Sequence, residues 1–158
     1  MKFLVIILLS CWSGSASGGD GAMMTRSAPN WPPLKDCKLA PNLEGEHCGY
    51  PFLQRRYYFN QTEKKCVLFI PTKCGDKYNQ GNNFGKRKGC IRKCIRNSPC
   101  LKETWRNDSG PLEGFAYYPP LDICIDIKYQ VGAELWPKNN IFPSAEDCQE
   151  TCAPADKI

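Results

Sequence analysis

The sequence predicts a small, disulfide-rich α+β protein of two tandem units, each a twisted β-hairpin with a short C-terminal helix. Two observations lead to this prediction: the chain has 11 cysteines in 158 residues, and one cysteine spacing occurs twice. Small secreted domains that bury little apolar surface rely on disulfides, which are rare in cytosolic proteins. The cysteine content therefore favours an extracellular protein.

Residues 1–18 have the pattern of a secretory signal peptide. Lys2 precedes the apolar run Phe3–Leu9, and small residues follow, which is the order typical of such peptides. The run is far shorter than the roughly 20 apolar residues of a membrane-spanning helix. We expect cleavage near residue 18 and secretion of a chain that has lost Cys11. The ten remaining cysteines are an even number, so all of them can pair.

The residue types present argue against most enzymes. His47 is the only histidine and directly precedes a cysteine that is expected to be bonded, so Ser-His-Asp and Cys-His sites have no other imidazole base. The sequence also contains no paired zinc-ligand spacing and no Gly-rich phosphate loop. We therefore expect no enzymatic activity, no metal site and no cofactor.

The cysteine repeat divides the chain into two halves. In the first half 23 residues lie between Cys66 and Cys90, and in the second half 23 residues lie between Cys124 and Cys148. In both halves a further cysteine follows after three more residues. The second half lacks the second and fourth of six positions, and this joint loss suggests that these two bond each other, since losing one alone would leave a free thiol. The positions are Cys37, Cys48, Cys66, Cys74, Cys90 and Cys94 in the first half, and Cys100, Cys124, Cys148 and Cys152 in the second.

Each half is predicted to form a hairpin. In the first half, the strands are Arg56–Phe59 and Cys66–Ile70, which flank a polar turn. In the second half, Gly114–Tyr118 and Ile123–Tyr129 flank Pro119-Pro120, and apolar residues alternate along the latter strand, as in a half-buried strand.

A short helix is predicted to end each half. Cysteines at positions i and i+4 lie on one helical face, so both can point inward. Ser144, three residues before Asp147, is expected to cap the second helix. The first helix begins with three cations, which the helix dipole disfavours.

Further motifs accompany the cysteine pattern: Arg56-Tyr57-Tyr58-Phe59-Asn60 and Asn82-Asn83-Phe84 in the first half, and Asn139-Asn140-Ile141-Phe142 and Ser144–Cys148 in the second. With these motifs the chain resembles the Kunitz-type inhibitor family and, within it, the two-domain salivary inhibitors of ticks. The resemblance implies a monomer with a tail at 19–36, a six-cysteine domain at 37–94, a linker at 95–99, a four-cysteine domain at 100–152 and a tail at 153–158. It also implies five disulfides, Cys37–Cys94, Cys48–Cys74, Cys66–Cys90, Cys100–Cys152 and Cys124–Cys148.

In this family an extended loop that follows the second cysteine enters a serine protease as a substrate does, and its first residue fills the primary pocket. That residue is Gly49, which has no side chain for a pocket that takes Lys or Arg. The Tyr50–Leu53 segment is interpreted as an exposed contact patch or, alternatively, as a locally folded minicore. Arg55 and Arg56 are interpreted as shifted anchors for the protease pocket or, alternatively, as cations at the edge of a strand. The candidate protease-binding residues are Gly49, Tyr50, Pro51, Phe52, Leu53 and Arg55.

In the second half the corresponding loop, about Ser109–Glu113, is expected to be unclamped. Leu135 and Trp136, beside the lost fourth cysteine, are expected either to pack into the vacated space or to act as binding anchors.

Charge separates the halves: residues 37–94 carry a net +8 and residues 100–152 a net −5. The basic patch of the first helix suggests a glycosaminoglycan or an anionic surface as a partner, and a solvated basic face is the alternative. Nucleic acid is not expected as a partner of an extracellular protein. The patch consists of Lys86, Arg87, Lys88, Arg92 and Lys93.

Asn60 and Asn107 begin glycosylation triplets in predicted turns. The resemblance implies a secreted anticoagulant inhibitor of serine proteases, with factor X or Xa and factor VIIa/tissue factor as partners, that binds largely at exosites. The alternative function is a Kunitz-type ion-channel modulator.

Overall fold

Two β-hairpins, each followed by a short helix, form the framework of the protein. The structure is a computed structural model that describes residues 34–51, 53–107 and 109–156. The predicted signal peptide and most of the predicted N-terminal tail lie outside these residues. The strands are β1 (Glu44–Gly45), β2 (Arg56–Asn60), β3 (Lys65–Phe69), β4 (Lys73–Cys74), β5 (Leu112–Tyr118) and β6 (Ile123–Tyr129); the helices are α1 (Arg87–Cys94) and α2 (Ala145–Cys152).

The first hairpin pairs β2 with β3 in an antiparallel register that places Tyr58 opposite Val67. The Asn60 side-chain oxygen accepts hydrogen bonds from the backbone N–H groups of Thr62 (2.9 Å) and Glu63 (3.2 Å), which closes the turn as Asx turns do. The prediction of this hairpin is confirmed within one residue at each strand end.

The second hairpin pairs β5 with β6 over seven residues and places Ala116 opposite Ile125. Along β6, Ile127 is buried between the exposed Asp126 and Lys128, in agreement with the predicted alternation, whereas Ile123 at the start of the strand is 41% exposed. The hairpin is confirmed, although β5 begins two residues before the predicted Gly114.

A buried asparagine recurs at the same place in both halves. Asn82 donates to the Phe59 carbonyl at 2.9 Å and accepts from the Phe59 N–H at 2.8 Å. Asn140 makes the same pair of bonds with Tyr117, at 2.8 and 2.9 Å. Each amide thereby satisfies buried backbone groups of the last but one residue in the first strand of a hairpin, and the repeat seen in the cysteines extends to this interaction.

The two helices are anchored by equivalent disulfides but begin differently. Ser144 caps α2 by accepting a hydrogen bond from the Asp147 N–H at 3.1 Å, as predicted. Helix α1 has no side-chain cap and no acidic residue in its first turn. Any counter-charge for its N-terminal cations must therefore come from residues outside the helix.

The ten cysteines from Cys37 onward form five disulfides in the same pairs that the resemblance implies. Their Cα–Cα distances of 5.4 to 6.2 Å lie within the usual range for such bonds. The pairs are Cys37–Cys94, Cys48–Cys74, Cys66–Cys90, Cys100–Cys152 and Cys124–Cys148.

The two halves share one core and form one compact unit. A single cluster of buried side chains includes Tyr57 and Phe84 from the first half and Tyr117 and Phe142 from the second. None of the helices in the described part of the chain is long and apolar enough to cross a lipid bilayer.

The segment after α2 also joins the halves. The Leu68 N–H donates to the Pro154 carbonyl at 2.9 Å, and the Asp156 N–H donates to the Leu68 carbonyl at 2.8 Å. This segment therefore lies along the edge of β3 and satisfies backbone groups that an edge strand otherwise leaves open. The expected short tail at 153–158 is part of the fold as far as residue 156, and residues 157 and 158 lie outside the described part.

Candidate functional site

The segment from Cys48 to Arg55, here called the arm, begins at the Cys48–Cys74 disulfide of the first half. Tyr50 is 95% exposed and Leu53 is 71% exposed. Exposed large apolar side chains that stand close together are typical of contact surfaces. The exposure of these two residues favours a contact patch over a minicore, and Phe52 lies outside the described residues.

The base of the arm is braced by polar contacts. The Gln54 side-chain oxygen accepts hydrogen bonds from the backbone N–H groups of Glu46 (2.9 Å) and His47 (3.2 Å). Gly45 lies so close that a Cβ at this position would meet the same Gln54 oxygen at 2.7 Å and Pro71 at 2.6 Å. The arm is thus held at both ends, by a disulfide and by Gln54, which reduces the entropy lost on binding.

Gly49 does not have the backbone of an extended, substrate-like loop. Its φ is +73°, in the left-handed region, whereas an extended residue has a negative φ. A Cβ there would contact nothing within 4 Å, so backbone conformation and not crowding makes glycine favourable. The residue next to it, Tyr50, presents the first side chain after the disulfide-bonded Cys48.

The two arginines that follow have different environments. Arg56 is buried and donates to the side-chain oxygens of Asn83 (2.8 Å) and Asn79 (3.0 Å), and burial lowers its pKa. Its interpretation as a shifted anchor is wrong, because the guanidinium is used inside the fold. Arg55 has a half-exposed side chain whose Nη2 lies 3.1 Å from Asp122 Oδ2.

Asp122, in the turn between β5 and β6, is one of the points where the two halves meet. Its carboxylate accepts hydrogen bonds from Arg87 Nε (2.6 Å), the Tyr117 hydroxyl (2.7 Å) and the Tyr57 hydroxyl (2.8 Å), in addition to Arg55. Three of these four donors come from the first half. The sequence presents Asp122 only as one acidic residue among several in the second half, and this role was not predicted.

Burial and the Asp122 carboxylate keep two tyrosines protonated at high pH. Burial, followed by the hydrogen bond to Asp122, raises the pKa of Tyr57 from 10.0 to about 12. Burial and the negative charge of Asp122 raise the pKa of Tyr117 even further. In the folded protein both phenols are therefore protonated at physiological pH and act as hydrogen-bond donors.

The free energy of unfolding is expected to fall as the pH rises from about 10 to about 12. In the unfolded chain these phenols ionise near pH 10, whereas the folded protein holds their protons to higher pH, so the stability present below pH 10 is lost above it. Each such phenol contributes a slope of about 1.4 kcal/mol per pH unit. Urea midpoints at pH 9, 10 and 11 test this, and Tyr57→Phe should reduce the slope. Equal midpoints at the three pH values would contradict it.

The predicted basic patch requires one correction. Arg87 is buried and paired with Asp122, so it does not belong to an exposed surface. Arg87 is the first residue of α1, and its ion pair with Asp122 links the helix to the second half. The Asp122 carboxylate also balances the positive charge at the helix N-terminus. The other members, which remain exposed or half-exposed, are Lys86, Lys88, Arg92 and Lys93.

In the second half, the loop at residues 109–113 is held without a disulfide. Gly110 has a φ of +139° and packs on the backbone of Tyr129, whose carbonyl oxygen would lie 2.1 Å from a Cβ at this position. The side chain of Gln130 donates to the Ser109 carbonyl at 3.3 Å. As expected, no disulfide clamps this loop, but it is not free, because it packs on the backbone of Tyr129.

The residues beside the lost fourth cysteine contact the core, although Trp136 remains 36% exposed. The rings of Trp136 and Phe142 stack with centroids 5.3 Å apart, and Leu135 packs against the buried cluster of Ala116 and Ile141. These contacts favour the packing interpretation over that of binding anchors.

The asparagines of the two glycosylation triplets lie at the ends of regular elements. Asn60 ends β2 and is half-buried, with its side-chain oxygen used in the hairpin turn. Asn107 ends a short 3₁₀ helix and is exposed. In the described residues, no group of three or more His, Cys, Asp or Glu side chains could hold a metal ion.

Comparisons with known proteins agree on one family. The model of the Kunitz/bovine pancreatic trypsin inhibitor domain matches residues 36–95. A Bos taurus protein, "WAP, Kazal, immunoglobulin, Kunitz and NTR domain-containing protein 2", is 27% identical over 146 residues, which are 86% of this chain and 23% of that protein. The chain thus spans about a quarter of the length of this relative.

Two solved structures share low identity with the chain. The complex between SmCI and human carboxypeptidase A4 has 23% identity and a TM-score of 0.28, over 73% of this chain and 62% of that one. The NMR structure of Ixolaris, reported with its Factor X interaction, has 21% identity and a TM-score of 0.28, over 75% of this chain and 95% of that one.

A second curated relative establishes the family. It is the Kunitz-type serine protease inhibitor kunitoxin-Phi1 of Philodryas olfersii, 33% identical over 82 residues, which cover 51% of this chain and 72% of the relative. The matched family model, this relative and the six-cysteine pairing of the first half together show that the chain belongs to the Kunitz/bovine pancreatic trypsin inhibitor family.

Proposed function

We propose that the protein is a secreted serine protease inhibitor, not an enzyme, that acts as a salivary anticoagulant on coagulation proteases. The observation that carries this proposal is the arm: it is braced by the Cys48–Cys74 disulfide and presents Tyr50 and Leu53 to solvent. A braced segment with exposed apolar side chains loses little entropy on binding and supplies the anchors that dominate an interface.

The arm is proposed to bind a protease at a surface outside the catalytic cleft. Gly49 offers the primary pocket no side chain and has a left-handed backbone, whereas a cleft binds an extended segment. Tyr50 and Leu53 are instead suited to a shallow apolar site. Factor Xa and the factor VIIa/tissue factor complex are proposed as targets because of the motifs shared with two-domain salivary inhibitors.

The second half is proposed to be a four-cysteine Kunitz domain. It repeats the hairpin, the buried asparagine and the helix disulfide of the first half. The exposed members of the basic patch are proposed to contact a glycosaminoglycan or another anionic surface, since clustered cations attract polyanions.

Replacing Tyr50 and Leu53 together by alanine is expected to weaken protease inhibition about a hundredfold, because two anchors are lost from one interface. Inhibition constants are measured with trypsin, chymotrypsin, factor Xa and factor VIIa/tissue factor, the last with and without factor Xa. Leu39→Ala, an exposed leucine outside the arm, is the matched control and should leave the constants unchanged.

The wild-type protein is expected to inhibit factor VIIa/tissue factor more strongly when factor Xa is present. Absence of inhibition in the whole panel would contradict the proposed function. If the same preparation altered potassium-channel currents, the result would favour the ion-channel modulator that Gly49 and the basic first half leave as the alternative.

A further inference from the structure

The turn between β5 and β6 lies beside the arm, although the two belong to different halves. Arg55 Nη2 and Asp122 Oδ2 are 3.1 Å apart. Leu53 stands two positions before Arg55, and Leu121 directly precedes Asp122. Each leucine is therefore one or two positions along the chain from the ion pair that joins the arm to the turn.

The conformation of the turn directs its charge inward and its apolar side chains outward. Asp122 has a φ of 58°, in the left-handed region that Asp tolerates better than most residues, and its carboxylate faces the first half. Its neighbours are exposed, Leu121 by 62% and Ile123 by 41%. The backbone N–H groups of Leu121 (3.3 Å) and Asp122 (3.0 Å) both donate to the Tyr118 carbonyl, which fixes the turn.

The arm is too small to form a stable protein interface by itself. A typical interface covers about 800 Å² and roughly 20 to 30 residues on each partner, and the arm has eight residues. Any protease bound to the arm must therefore also cover surface next to it. The Asp122 contacts make the β5–β6 turn a fixed part of that surface.

We propose that Leu121 and Ile123 form a second contact site for the protease that the arm binds, so that one partner is gripped by both halves. This proposal rests on the proposed function and adds that the β5–β6 turn of the second half also contacts the protease. The ion pair between Arg55 of the arm and Asp122 of the turn holds the two segments together.

Substitution of Leu121 by aspartate tests the proposal. The inhibition constant for the protease most strongly inhibited in the panel is expected to rise at least about tenfold, as for an interface side chain replaced by an unpaired charge. Val131→Asp is the matched control: it places the same charge on another exposed apolar residue of the second half, 75% exposed compared with 62% for Leu121. Val131 follows the other end of the hairpin, about 20 Å from the turn along seven-residue strands.

The outcomes separate this proposal from the one it rests on. Loss of inhibition in Leu121→Asp and not in Val131→Asp supports it, provided that both variants have the urea midpoint of the wild type. Equal constants for the two variants, with Tyr50→Ala/Leu53→Ala still weakened, would overturn the second contact and leave the arm in place. If Leu121→Asp were unstable, Leu121→Ala would replace it, and an unchanged constant would again overturn the proposal. A wild-type protein without activity on the panel would overturn both.

Discussion

Replacement of Asp122 by alanine is expected to lower the free energy of unfolding by about 3–5 kcal/mol, the usual cost of removing one partner of a buried ion pair. The side chain of Arg87 is only 1% exposed, so the substitution leaves a cation inside the protein without its counter-charge. The hydroxyls of Tyr57 and Tyr117 lose their acceptor at the same time. Urea unfolding at pH 7, followed by tryptophan fluorescence, measures the change.

Asp126→Ala is the control for this experiment, because Asp126 is an exposed carboxylate on the strand that follows the same turn. Its removal should change the free energy of unfolding by less than about 0.5 kcal/mol. A double variant, Asp122→Ala with Arg87→Met, should recover part of the loss, since an apolar pair can replace a buried ion pair at little cost. Equal urea midpoints for Asp122→Ala and Asp126→Ala would show that the carboxylate does not hold the halves together.

Much of the local structure could be predicted from the sequence because the signals are local. Alternating apolar residues along Ile123–Tyr129 predict the observed strand, and Ser144 three residues before Asp147 predicts the observed cap. The cysteine spacing, with the family resemblance, gives the five disulfides. These features depend on residues that are neighbours in the chain or on a covalent pattern that repeats.

The contacts between the halves could not be predicted in the same way, since they depend on how two similar units pack. The Lys86-Arg87-Lys88 run has the composition of a solvated surface, yet Arg87 is buried because Asp122, 35 positions later, accepts its hydrogen bond. The backbone of Gly49 is likewise set by the folded arm, and glycine alone is compatible with either sign of φ. Both features bear directly on the candidate site.

Loss of the Cys100–Cys152 disulfide, by substitution of both residues with alanine, is expected to unfold the second half and to loosen the first. The bridge spans 52 positions, for which the chain-entropy model gives about 4 kcal/mol, and both cysteines are buried in the shared core. Residues 154–156 follow Cys152 directly and would then detach from β3. The Leu68 amide, which donates to the Pro154 carbonyl, should lose its protection from hydrogen exchange.

The double variant Cys48→Ala/Cys74→Ala separates the effect of chain entropy from that of core packing. Its bridge spans 26 positions, worth about 3.5 kcal/mol in the same model, but Cys74 is exposed and neither cysteine belongs to the shared core. This variant should be less stable while the Leu68 amide stays protected, because the segment after α2 remains anchored. If Leu68 exchanged equally fast in both variants, the general loss of stability would explain the result. If it stayed protected in both, the segment at 154–156 would be held by its own contacts with β3, and the shared core would not depend on the second end-to-end bridge.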